Sequence, residues 1–84
     1  MVAPKIDPTQ PCIDTAIHVA ETLIAAKHDP AERSVYEQQR TQIVRGTAEA
    51  CTTQHWSALQ LTCYTAAKTE PAIRECEARF PVAH

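Results

Sequence analysis

Four cysteines in a chain of 84 residues constrain this sequence more than any other feature. A single apolar core in so short a chain supplies only about 3–5 kcal/mol over the entropy of ordering the backbone. The large side chains are also few, with one Phe, one Trp and two Tyr, so the core is expected to be thin. Cross-links that restrict the unfolded chain contribute about 2–4 kcal/mol each, and Cys12, Cys51, Cys63 and Cys76 are an even number that permits full pairing. Paired cysteines imply an oxidising compartment; the alternative is a cytosolic protein with four buried free thiols.

Local signals divide the chain into helices. Residues 1–10, with Pro4 and Pro8 and followed by Pro11, read as a flexible Pro-rich lead-in. From Cys12 onward Ile13, Ile17, Ala20 and Ile24 recur at helical spacing, which predicts an amphipathic helix over about residues 11–27. Asp29-Pro30-Ala31-Glu32 then places a capping Asp, a proline at the first helical position and a Glu at the third. A second helix is expected over about 30–51, with Val35, Tyr36, Ile43 and Val44 facing inward and a polar middle over residues 37–42. Gly46, the only glycine, falls inside it and costs about 1 kcal/mol relative to Ala. It reads as a tolerated small residue rather than a point of close helix approach.

Thr52-Thr53 offers the next N-cap, for a third helix over about 54–67 that carries Trp56, Leu59 and Cys63. Thr69-Glu70-Pro71 repeats the cap-and-proline pattern ahead of a last helix over about 70–80, with Ile73, Cys76 and Phe80 on one side. Residues 81–84 form a tail. Four helices joined by short turns imply antiparallel neighbours. The expected fold is therefore all-α: a small four-helix up-and-down bundle of two helical hairpins, in one domain over residues 11–80 and stapled by two disulfides.

Two cysteines bridge antiparallel helices only when they stand at similar heights, because their Cα atoms must come within roughly 7 Å. Cys63 and Cys76 flank the turn near Lys68-Thr69 with a stagger of about 3 Å at the helical rise. Cys51 lies at the turn before the third helix and Cys63 most of the way along it, which disfavours that pair. Elimination leaves Cys12–Cys51, with a stagger of about 9 Å if both helices are regular. Four cysteines permit three connectivities; the spacing favours Cys12–Cys51 with Cys63–Cys76.

Several functions lack their residues. There is no Cys-x-x-Cys for redox chemistry and no Cys-x-x-Cys-His for covalent haem, and the two nearest cysteines have eleven residues between them, too far apart for finger-type zinc ligation. No cofactor is expected. A formal charge of −2 without a basic block lacks the electrostatic footprint of a nucleic-acid binder. No apolar run approaches the roughly 20 residues that cross a bilayer. Met1-Val2-Ala3-Pro4-Lys5 is neither signal peptide nor anchor, so an exported form is expected to have lost its leader.

Three groups of residues remain as candidate sites. Asp14, His18 and Glu21 share one face of the first helix, an imidazole and two carboxylates able to ligate a metal; a solvated or locally hydrogen-bonded His18 is the more common outcome of such spacing. Tyr36, Leu59, Leu61 and Tyr64 are candidates to line an apolar pocket between hairpins, although Tyr at such positions more often has its ring inside and its hydroxyl wet. Gln38, Gln39 and Gln42 form a polar contact face. His55 beside Ser57 lacks a third catalytic group and an oxyanion pattern, so no enzymatic activity is expected.

Cys12, His18-Val19, Leu23, Arg40, Cys51, Trp56-Ser57, Cys63, Ala66-Ala67 and Cys76 together resemble the pattern of uncharacterised small exported proteins and lipoproteins of myxobacterial type, over about residues 12–76. The resemblance implies an envelope location, a leader upstream of Val2 and a helical fold with paired cysteines, and it brings no activity. The twin Cys-x9-Cys hairpins of the mitochondrial intermembrane space fit less well, since eleven and twelve residues separate the last three cysteines here. The combined expectation is a non-enzymatic periplasmic or secreted interaction or structural module with a protein partner in the cell envelope. A carrier of a small apolar ligand or lipid and a metal-binding protein are the alternatives.

Overall fold

The computed structural model describes residues 7–81, which contain five helices and no strand. These are α1 (Gln10–Ala25), α2 (Pro30–Gln38), α3 (Arg40–Thr53), α4 (Ala58–Ala66) and α5 (Glu70–Arg79). Residues 1–6 of the Pro-rich lead-in and 82–84 of the tail lie outside the described residues.

The all-helical class holds, but the expected four helices are five. The single helix over 30–51 is divided at Gln39, whose backbone (φ −91°, ψ 0°) leaves the regular helical range. The physical reason lies in the polar run from Glu37 to Gln42, exposed throughout: no apolar side chain there is held against the core. α2 accordingly buries no residue at all. A second difference concerns α4, which begins at Ala58 with the Ser57 hydroxyl accepting from the Gln60 amide, rather than after Thr52-Thr53. Those two threonines complete α3 instead. That helix ends with the Trp56 amide donating to the Cys51 carbonyl and His55 at φ 53°, the left-handed C-terminal turn that satisfies otherwise orphaned carbonyls.

Two caps expected from sequence form. The Asp29 carboxylate accepts from the Ala31 amide, and the Thr69 hydroxyl accepts from the Ala72 amide. Glu32 does not reach back to complete the first box; its carboxylate stands 3.8 Å from Lys27 Nζ.

α1 is the central element and contacts every other helix, α3 most extensively. Cys12 near the start of α1 is bonded to Cys51 near the end of α3, and Glu21 late in α1 pairs with Arg40 at the start of α3 (2.8 Å), so the two helices run antiparallel. Their buried side chains include Cys12, Ala16, Ala20, Ala48 and Cys51, small residues that permit close backbone approach. The Cα atoms of Cys12 and Cys51 are 5.6 Å apart. The apparent stagger of that pair disappears because α3 alone is the antiparallel partner of α1, and α2 serves as a long connection that absorbs the surplus residues.

The second disulfide joins Cys63 of α4 to Cys76 of α5 with Cα atoms 5.9 Å apart. Around it Val19, Tyr64, Ala67, Ile73 and Cys76 form the main buried cluster, with Leu23 and Trp56 packed against it. Among the described residues nothing lies within 4 Å of where a Cβ of Gly46 would stand, so it mediates no close contact between these helices.

Candidate functional site

The three residues at metal-ligand spacing on α1 are each engaged separately. His18 donates from Nε2 to the Ala67 carbonyl oxygen at the end of α4, 2.6 Å away; because a carbonyl only accepts, this contact assigns the proton to Nε2. Asp14 accepts from Gln10 Nε2 at 2.8 Å, and Glu21 from Arg40 at 2.8 Å. Among the described residues no group of three His, Cys, Asp or Glu side chains is close enough to hold a metal ion.

The four residues of the expected apolar pocket are dispersed. Tyr36 lies under the ammonium of Lys27, which is 4.6 Å from its ring centroid. Leu59 is 76% exposed, Leu61 is half-buried, and only Tyr64 is fully inside. Tyr64 stacks on Trp56 with ring centroids 4.8 Å apart and planes 14° from parallel. This pair borders a groove of about 640 Å³ whose walls include Val19 from α1, Ala50 from α3, Glu77 from α5 and Pro81. Burial, and then the Glu77 carboxylate, push the Tyr64 phenol above its ordinary pKa. In sequence Trp56 is legible as an aromatic anchor, but nothing there joins it to Glu77, because the neighbourhood depends on how α5 is laid against α4.

A second cleft, of about 630 Å³, lies where α1 ends and α5 begins, with Lys68, Glu70 and Arg74 on its wall. Its carboxylate is paired internally. Glu70 accepts from Lys27 Nζ at 2.9 Å and from Arg74 Nη2 at 2.8 Å. The hydrogen bond from Lys27, then that from Arg74, holds the Glu70 carboxyl below its ordinary range, and the bond to Glu70 chiefly raises Lys27. Lys27 and Glu70 are 43 residues apart, so neither periodicity nor motif spacing announces their pairing.

Gln38, Gln39 and Gln42 are all exposed, on a segment of which α2 puts nothing into the core. Val35 on the same helix is 50% exposed. α2 is nevertheless tethered at its start, where Arg33 Nε donates to the Lys27 carbonyl at 3.0 Å and Asp29 caps the first turn.

Compared with protein-family models, curated proteins and solved structures, the chain matches none. The two disulfides suggest an oxidising, extracellular-type environment. Among the described residues no helix is long and apolar enough to cross a membrane.

Proposed function

We propose that this chain is a non-enzymatic interaction module of the periplasm or the secreted fraction, binding a protein partner in the cell envelope through the outer surface of α2 and the start of α3. The observation that carries this reading is that α2 buries no side chain yet is capped and anchored. A helix that buries no side chain of its own, capped and tied at its start, leaves its outer surface and the neighbouring Gln38, Gln39 and Gln42 open to a partner. Its exposed Val35 supplies apolar area within a polar surround, the usual composition of a transient interface. The cysteine spacing that resembles small exported proteins of myxobacterial type, and the paired cysteines themselves, support the compartment.

Photo-crosslinking in the native envelope tests the reading. A crosslinker at Gln38 or Gln42 should give one discrete adduct that excess unlabelled protein competes away, while the same group at Glu75 should give none. Equal adduct patterns from the α2 and α5 positions, or a measured turnover abolished by a single polar substitution, would overturn it.

A further inference from the structure

The groove beside Trp56 combines aromatic area with a lone charge. Among the described residues Glu77 is its only carboxylate, and no Lys, Arg or His lines it. Among the described residues Glu77 has no basic partner within ion-pair distance, and Arg74 is felt only through Coulomb attraction. The similar-sized cleft at the start of α5 differs in this respect, since Glu70 there is already neutralised by Lys27 and Arg74.

An unpaired carboxylate at the edge of an otherwise uncharged groove gives that groove a negative potential, which favours a cation there over an anion. The face of an indole attracts the same cation through its quadrupole. An anion would be repelled by Glu77, and an uncharged apolar ligand would strip water from the carboxylate without replacing it. We propose that the groove bordered by Trp56, Tyr64 and Glu77 is a binding site for a small organic cation with an apolar body, of the alkylated or quaternary ammonium class. The charge lies between the indole and the carboxylate, and the apolar body lies against Val19 and Ala50. The groove volume of about 640 Å³ falls in the range usual for small-ligand sites. This site is separate from the α2 surface and does not depend on it.

The full chain carries its own reporters, because Trp56 is its only tryptophan and Gly46, also on the groove wall, its only glycine. The probe is choline, and the control is 3,3-dimethylbutan-1-ol, the same shape without the charge, both at constant ionic strength. Choline should change Trp56 emission and shift the Gly46 amide resonance saturably, with an affinity at least about tenfold above that of the neutral control. Glu77 is exposed and unpaired, so Glu77→Gln should keep the melting temperature while weakening choline binding about fivefold or more and leaving the neutral control unchanged. If Glu77 is only a solvated helix residue, the substitution will leave choline binding unaltered, which overturns the proposal. So would equal binding of choline and its neutral control, or no saturable response to choline up to about 50 mM.

Discussion

The imidazole of His18 on α1 donates to the backbone carbonyl of Ala67, 49 residues away, at 2.6 Å. The contact ties the central helix to the end of α4, where Ala67 itself is buried. A carbonyl at a helix C-terminus has no intrahelical donor, so the ring supplies what the fold otherwise lacks.

Replacing His18 with Ala should therefore destabilise the protein by about 1–3 kcal/mol, the cost of leaving a buried acceptor unsatisfied. Urea unfolding followed by far-UV circular dichroism measures it. An unchanged midpoint would mean that water takes over the bond without penalty.

Removal of the two disulfides should differ in effect. Cys12 and Cys51 are 39 residues apart and Cys63 and Cys76 only 13, so chain entropy assigns about 4 kcal/mol to the first cross-link and about 3 kcal/mol to the second. Paired Cys→Ser variants, C12S/C51S and C63S/C76S, compared by denaturant unfolding should show that order. The reverse order would place the dominant contribution in the packing around Cys76.

His55 occupies the left-handed position that ends α3, at φ 53°. A Cβ there carries a steric cost that glycine avoids, so His55→Gly should stabilise the protein by about 1 kcal/mol. The expected readout is a raised melting temperature; a lowered one would show that the exposed imidazole makes a contact worth more than the backbone strain.

Acid sensitivity should depend on Glu70. Its carboxyl is held below the ordinary value of 4.5, so its contribution is complete above that pH and is lost as pH falls through the lower, folded value. Lys27 is raised above 10.5, so its contribution is complete below that pH and is lost as pH rises through the higher, folded value. Glu70→Gln should lower the melting temperature near neutrality and flatten its decline below about pH 4.5. Parallel acid limbs for the two proteins would assign the decline to other carboxylates.

Sequence by itself determined the features that rest on short-range chemistry. Asp29 and Thr69 announce their helices because each cap bonds an amide two or three residues away. Cys63 and Cys76 can be matched across one short turn by counting helical rise. Periodicity also places Asp14, His18 and Glu21 on one helix, but it carries no information about what α4 and α3 offer them, and Ala67 and Arg40 engage His18 and Glu21 separately. Tertiary structure alone decided the break at Gln39, where helical propensity continues but nothing in the core holds the polar turn. It also decided the pairing of Lys27 with Glu70 and the placing of Glu77 beside Tyr64 and Trp56. These depend on how helices distant in the chain are laid against α1, and that arrangement is set by the summed burial of Val19, Tyr64 and Ile73 rather than by any local signal.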